Sequence, residues 1–318
     1  MATHEGWQGS TDGSARMHRM LINAIKLLGL WPIYFATAVV VVPMYMLLRH
    51  QGYIVTYHYL RRRHGFGPLK AFCYVYLNHY RFGQVVIDRF AVYAGVKFKF
   101  DVENYDDFLR LCESDKGIVI FSSHIGNYEL AGYTFHSSSK SFNALVFPGE
   151  SPTVMENRRR VLAEHNIGMI SVKDDMSHVF EVNAALAAGQ IISVPGDRMF
   201  GSSRTIECTL LGAKAEFPLG PYSLASQRDL NIVAIFVMKE KMHKYKVFIR
   251  QLRTDGHATV PVGHGDRNID PSLGQEPVPM THGRSGKAAA LAQAMAAEME
   301  TVLKKYPEQW YNYYEFWK

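Results

Sequence analysis

Short apolar runs alternate with helical patterns along most of the chain after about residue 110. The runs have strand length, are rich in Ile, Val and Phe, and are bounded by Gly, Pro or polar clusters. Between them lie two helical segments, one beginning at Pro152 and one running from Ser177 to Gly189. This β-α-β rhythm predicts an α/β fold, with a mixed central sheet flanked by helices. The predicted strands are 117–123, 142–147, 167–172 and 190–195, with a strand pair at 230–239 and 244–252.

A long apolar stretch precedes this body. Residues 27–48 are 22 consecutive residues without a charge, enough to cross the apolar core of a bilayer. Basic residues lie on both sides, so the positive-inside rule gives no orientation. Pro32 and Pro43 interrupt helix geometry, so we expect a kinked or re-entrant, membrane-embedded N-terminal helix. A cleaved signal peptide, with Ala36–Ala38 as the cleavage site, and a buried core helix are the alternatives.

The end of the sequence has a different pattern. Residues 254–286 are rich in Gly, Pro, His and Asp and lack an apolar period, which predicts a long loop. A final helix from Ser285 should pack on the sheet. We therefore divide the chain into an N-terminal membrane-anchoring segment, 1–65, and a globular domain, 66–318. The apolar face of the final helix is formed by Leu291, Met295, Met299 and Val302.

Charge and cysteine content narrow the possible functions. The net charge of +6 and the pI of about 9.0 suit nucleic acid, an anionic membrane or an acidic substrate. The basic residues are scattered and no nucleic-acid-binding motif occurs, so nucleic acid is not an expected partner. Cys73, Cys112 and Cys208 form no C-x-x-C pair, which argues against a disulfide scaffold or a structural zinc. Scattered thiols favour a reducing compartment, so the body should face the cytosol.

The stretch Ser122–Glu129 carries the clearest chemical signal, because His124 directly follows a predicted strand. On a continuous helix His124 and Glu129 would lie about 140° apart, so only a turn brings them together. Gly126 permits that bend and Asn127 can cap the following helix. This arrangement predicts a dyad in which Glu129 orients the imidazole while His124 takes a proton from a hydroxyl. A His and a Glu at this spacing also occur by chance, and a lone His is more often structural.

Further motifs follow in order along the chain. They are an arginine run at Asn157–Arg160, a strand ending in an aspartate at Pro195–Arg198, Phe217–Pro221, and Tyr306–Asn312. Asp197 should lie at the same sheet edge as His124, because ligands gather outside the carboxyl ends of parallel strands. With the apolar segment and Trp7, this ordered set resembles the late, lauroyl/myristoyl-type acyltransferases of lipid A biosynthesis, within the lysophospholipid and glycerol-phosphate acyltransferase superfamily. The likeness spans nearly the whole chain.

The resemblance implies a glycerol-phosphate acyltransferase-like fold and transfer of a fatty acyl group from acyl carrier protein or acyl-CoA to a lipid or glycolipid hydroxyl. His124 and Glu129 would be catalytic. No metal or cofactor is expected, because the thioester sulfur is already a good leaving group. The protein would lie in the bacterial inner membrane, with its acyltransferase domain, 66–318, facing the cytoplasm. The residues expected to bind substrate are Arg158, Arg159, Arg160, Asp197 and Arg198.

Two departures from the family pattern leave the acceptor open. Phe147 stands where the family has an arginine before proline, and Met199 stands where the family has a second acid. A glycolipid, an aminolipid, a lysophospholipid or a polyene could therefore be the acceptor. Two other functions use the same surface: a non-catalytic membrane lipid-binding protein, and a lipid hydrolase. The sequence lacks the Gly-x-Ser-x-Gly motif of many such hydrolases.

Overall fold

The computed structural model describes residues 14–48, 50–133, 140–146, 152–173, 175–198, 204–253 and 284–317. The helices are α1 (Ala15–Leu28), α2 (Leu30–Ala36), α3 (Val42–Leu48), α4 (His50–Arg63), α5 (Pro68–Tyr93), α6 (Tyr105–Glu113), α7 (Pro152–Glu164), α8 (His178–Ala187), α9 (Leu219–Ser226) and α10 (Arg284–Lys305). The strands are β1 (Lys99–Glu103), β2 (Ile118–Ser122), β3 (Phe142–Val146), β4 (Ile167–Ser171), β5 (Ile191–Pro195), β6 (Thr205–Leu210), β7 (Ala213–Pro218), β8 (Asn231–Lys241) and β9 (Lys244–Gln251).

Seven of the described strands form one mixed sheet, in the order β1-β9-β8-β2-β5-β3-β4. The β8–β9 pair is antiparallel and the other pairs are parallel, so the predicted mixed α/β fold is confirmed. All six predicted strands are present. The sequence did not predict β1, an edge strand in which charged and apolar residues alternate, or the separate β6–β7 hairpin.

The central strands are apolar because helices cover both faces of the sheet. In β2, Val119 and Phe121 pack in the core that contains α10, while Ile118 and Ile120 pack with α6 on the opposite face. The predicted apolar face of the final helix is confirmed. Its residues Leu291, Met295, Met299 and Val302 are all buried.

The apolar N-terminal segment is helical from Leu30 to Leu48, with a π-helical turn at Thr37–Val41 between α2 and α3. The wide turn precedes Pro43, which has no N–H to donate, and the N–H of Val42 bonds to the carbonyl of Thr37. Only 22% of the most apolar part of this helix is buried, whereas the core helix considered as an alternative would be mostly buried. Exposed apolar side chains on it include Trp31, Phe35, Val39, Val40, Met44, Leu47 and Leu48.

Helix α5 joins this segment to the sheet. Ile87 and Phe90 of α5 pack with Leu30 and Tyr34 in one apolar cluster. The same helix buries several polar side chains, among them Asn78, Asp88 and Arg89. Residues 254–283 of the predicted loop lie outside the described residues, and residues 284–286 begin α10 rather than continuing the loop.

Candidate active site

His124 lies just beyond the carboxyl end of β2, and its imidazole is held by Asp197. Nδ1 of His124 is 2.9 Å from Oδ1 of Asp197, and the backbone N–H of His124 donates to Oδ2 at 2.7 Å. Both side chains are buried. A proton on Nδ1 shared with the carboxylate leaves the lone pair of a neutral imidazole on Nε2, which is the state required of a general base.

Parallel pairing explains how residues so far apart in sequence meet. Ser122 at the end of β2 pairs with Pro195 at the end of β5, and the N–H of Gly196 donates to the Ser122 carbonyl at 2.8 Å. The two strands therefore end together, and the next residues, His124 and Asp197, face each other. This is the shared sheet edge that the sequence predicts.

The charges of the pair follow from burial and from their neighbours. Burial lowers the pKa of the His124 imidazole, while the negative charge of Asp197 opposes that shift. Burial opposes ionisation of Asp197. The positive charges of His124 and Arg198 and the hydrogen bonds from His124 outweigh it and hold the pKa of the Asp197 carboxyl below its usual range. Near neutral pH the pair is thus a neutral imidazole beside a carboxylate.

A tight turn after His124 is fixed by backbone contacts. Gly126 has φ +65°, and a Cβ built on it would lie 2.2 Å from the carbonyl oxygen of Val237 in β8. The N–H of Asn127 donates to that same carbonyl at 2.7 Å. The bend expected at Gly126 is therefore present, and it presses the turn against the neighbouring strand.

Glu129 does not hold the imidazole as predicted. It lies in a 3₁₀ turn, Tyr128–Tyr133, and its Oε1 accepts hydrogen bonds from Arg89 at 3.0 Å and Arg158 at 3.1 Å. Burial alone would raise the pKa of the Glu129 carboxyl, but the two arginines outweigh it and lower the pKa to about 2. Glu129 acts on His124 through its charge, which raises the pKa of the imidazole. The orienting position on Nδ1 belongs to Asp197.

The three predicted arginines of α7 point in three directions, because successive residues on a helix are about 100° apart. Arg158 is buried and pairs with Glu129. Arg159 and Arg160 lie on the exposed face, where they pair with Glu156 at 3.3 Å and Glu164 at 3.2 Å. Only Arg158 of the run faces the site.

Arg198 is a structural link between the site and the C-terminal segment. Its guanidinium donates to the carbonyl of Tyr311 at 2.8 Å, and the N–H of Tyr311 donates to the carbonyl of His124 at 3.1 Å. The N–H of Gly126 in turn donates to the Gln309 carbonyl at 2.7 Å. The Pro-x-Gln-Trp-like motif thus forms one wall of the His124 turn.

Sequence reasoning missed Arg89 and the contacts of Gln309 and Tyr311. A signal for Arg89 was available, since Asp88 and Arg89 are two adjacent charges within an otherwise apolar part of α5. Charged side chains in an apolar part of a helix are seldom buried unless they pair with other polar groups. Among the described residues, no group of three or more His, Cys, Asp or Glu side chains is arranged to hold a metal ion.

Fold and geometry define an α/β protein with a buried histidine–carboxylate pair at the carboxyl edge of its sheet. A family model of the bacterial lipid A biosynthesis acyltransferases matches residues 87–259, more than half of the chain. The chain belongs to this family and is an acyltransferase of lipid biosynthesis. The match includes His124, Glu129, Arg158 and Asp197, and the family resemblance drawn from the motifs is confirmed. A comparison with curated proteins found no match.

Proposed function

We propose that the protein transfers a fatty acyl group from an acyl thioester, carried by acyl carrier protein or CoA, to a hydroxyl of a membrane lipid or glycolipid, with His124 as the general base. The observation that carries the proposal is the His124–Asp197 contact, a buried imidazole whose Nδ1 is held by a carboxylate 2.9 Å away. Such a pair raises the basicity of Nε2 and stabilises the imidazolium that forms.

The proposed reaction needs only proton transfer by His124 and uses no metal or cofactor. Nε2 of His124 takes the proton of the acceptor hydroxyl as its oxygen attacks the thioester carbonyl. The C–S bond then breaks, and the imidazolium returns the proton to the leaving thiolate. Asp197 stays ionised throughout and stabilises the imidazolium.

The arginines around Glu129 have a separate role in the proposal. Arg89 and Arg158 bring two positive charges to one carboxylate beside His124, so the group keeps a net charge of about +1. A positive site next to the base would favour an anionic substrate group, such as a phosphate of the acceptor or of the donor. Arg159 and Arg160, on the exposed face of α7, are left out of this role.

Membrane association is part of the proposal. The apolar side chains exposed along Leu30–Leu48 support it, because exposing so wide an apolar surface to water is energetically unfavourable. Tyr34 of the same segment is buried against α5, which argues against removal of the segment as a signal peptide. We place the protein in the bacterial inner membrane with the body facing the cytoplasm, where acyl thioesters are found. Full-length protein should stay in the membrane pellet through a carbonate wash, and its release would contradict embedding.

The test of the chemistry is transfer of labelled acyl chains to total bacterial membrane lipid, with acyl carrier protein and CoA thioesters supplied separately and products identified by mass spectrometry. His124→Ala should lose essentially all transfer. His243→Ala, an exposed histidine in the β8–β9 turn, is the matched control and should transfer normally. Free fatty acid without acylated lipid would favour a hydrolase. Lipid binding without transfer by wild-type protein would favour the lipid-binding alternative.

A further inference from the structure

A second buried polar cluster lies behind the site, centred on Asp88 of α5. One carboxylate oxygen, Oδ1, accepts a hydrogen bond from the hydroxyl of Tyr34. The other, Oδ2, accepts from the hydroxyl of Tyr245 and from Nζ of Lys239, which is 2.5 Å away. The side chains of Asp88 and Lys239 are both 0% exposed. Removing a hydrogen-bond partner from a charge pair buried this deeply is costly, because water does not replace the lost bond.

Two links join Asp88 to the His124–Glu129 turn. Asn127, inside the turn, donates from Nδ2 to the hydroxyl of Tyr245 at 3.2 Å, and Tyr245 in turn donates to Asp88. The second link is the helix itself, because the residue after Asp88 is Arg89, whose guanidinium holds Glu129 at 3.0 Å. The orientation of Asp88 therefore affects the positions of Asn127, in the middle of the turn, and Glu129, at its end.

Tyr34 connects the Asp88 cluster to the apolar N-terminal segment. Tyr34 belongs to α2, in the apolar segment Leu30–Leu48, whereas the other members come from α5, β8 and β9. The hydrogen bonds of Asp88 are complete only while this segment lies against α5. Without the Tyr34 hydroxyl, a buried carboxylate oxygen loses a donor that water cannot easily replace.

We propose that Tyr34 is a positioning residue: through Asp88 it fixes Asn127 and the Arg89–Glu129 pair, so that acyl transfer depends on the apolar segment being seated on α5. The inference rests on the proposed acyl transfer. It makes the seating of the membrane segment a condition for a fully ordered site, in addition to any role of that segment in anchoring.

The test uses substitutions that remove one hydroxyl each. Tyr34→Phe keeps the ring, which lies 5.1 Å from Nζ of Lys239, and removes only the donor to Asp88. Tyr245→Phe removes the second hydroxyl. The matched control is Tyr76→Phe, since the Tyr76 hydroxyl also ties α5 to the apolar segment, at the Ala38 carbonyl 2.6 Å away, without touching Asp88.

Full-length variants in membranes should be compared for kcat, for KM of donor and acceptor, for melting temperature and for resistance to a carbonate wash. Tyr34→Phe and Tyr245→Phe should each lower kcat about tenfold, which is less than the roughly 10²-fold that a 1 Å misplacement of catalytic groups can cost. KM should stay within about twofold, because positioning of the reacting groups is lost rather than substrate binding. The double variant should lose less than the product of the two single losses, since both act through Asp88. Tyr76→Phe should match wild type.

Several outcomes overturn the inference. A wild-type kcat for Tyr34→Phe would do so, and equal losses in Tyr34→Phe and Tyr76→Phe would reduce both hydroxyls to anchors of the segment. A fall in kcat that tracks the unfolded fraction would make the role purely structural. If the wild-type protein itself transfers no acyl group from either thioester, the proposed function fails first, and that result is separate from any comparison among the tyrosine variants.

Discussion

Nδ1 of His124 lies 2.9 Å from Oδ1 of Asp197, although the two residues are 73 positions apart in the chain. The same carboxylate also accepts the backbone N–H of His124 through Oδ2. Asp197 therefore fixes both the ring and the backbone of the residue proposed as the base. Of the two carboxylates in the site, Asp197 sets the imidazole geometry, and Glu129 organises two arginines.

This relationship makes Asp197 the more sensitive carboxylate for the choice of imidazole tautomer. Asp197→Asn should lower acyl transfer by about 10²- to 10⁴-fold, because an amide cannot stabilise the imidazolium and can impose the wrong tautomer. Asp229→Asn is the control, since that carboxylate is 81% exposed and forms an ion pair with Lys116. Steady-state transfer rates of folded variants measure the effect. Near wild-type activity in Asp197→Asn, with a large loss in Glu129→Gln, would restore Glu129 as the orienting carboxylate.

The sheet was predictable because its strands are apolar on both faces and are bounded by turn residues. The strand runs at 117–123 and 190–195 also placed His124 and Asp197 at one edge. The sequence could not reveal the contact between them, because the register of β2 against β5 determines which side chains meet. The short spacing between His124 and Glu129 instead suggested that these two residues form the pair. Edge strand β1 was missed because its alternating charges give a weak apolar signal.

The remaining errors have a common origin in long-range packing. Arg89 reaches Glu129 from α5, a helix whose position depends on its contacts with the N-terminal segment. The wall formed by Gln309 and Tyr311 depends on the C-terminal segment returning to β2. For the arginine run, helix geometry limited how many could face the site, but only packing determined that Arg158 is the inward one.

The turn at Gly126 should tolerate no side chain. Gly126→Ala should destabilise the fold by several kcal/mol or prevent folding, because a Cβ would meet the Val237 carbonyl at 2.2 Å. Gly65→Ala separates this contact from backbone strain, since Gly65 has a similar φ of +64° with nothing within 4 Å of the added carbon. That control should cost only about 1–2 kcal/mol. Thermal unfolding and transfer rates report both effects, and equal losses in the two variants would mean that backbone strain alone is responsible.

The ion pairs of Glu129 should make stability depend on pH in acid. The pKa of Glu129 is lowered from 4.5 to about 2 in the folded protein, so its contribution is present above 4.5 and is lost as pH falls toward 2. The shift corresponds to about 3 kcal/mol. Denaturant unfolding should show Glu129→Gln to be less stable than wild type at pH 6, with a gap that narrows below pH 4.5.

Glu156→Gln is the control for that experiment, because the Glu156 side chain is 74% exposed and its ion pair with Arg159 contributes little in water. It should follow the wild-type curve at every pH. A constant gap between Glu129→Gln and wild type across the acid range would show that the carboxylate stabilises the fold through packing rather than through its charge.

The pH profile of transfer should report the ionisation of His124. A base must be neutral to accept a proton, so kcat/KM should be level above the pKa of His124 and fall below it. Burial lowers that pKa below 6.5, so the acid limb should lie at lower pH than for an exposed histidine.

Neighbouring charges should move the acid limb of the pH profile in opposite directions. Glu129→Gln removes a negative charge that raises the pKa and should shift the limb down, whereas Arg198→Gln removes a positive charge that lowers the pKa and should shift the limb up. Arg198→Lys keeps the charge and should leave the limb close to its wild-type position. A limb that stays in place in both Glu129→Gln and Arg198→Gln would belong to a group other than His124.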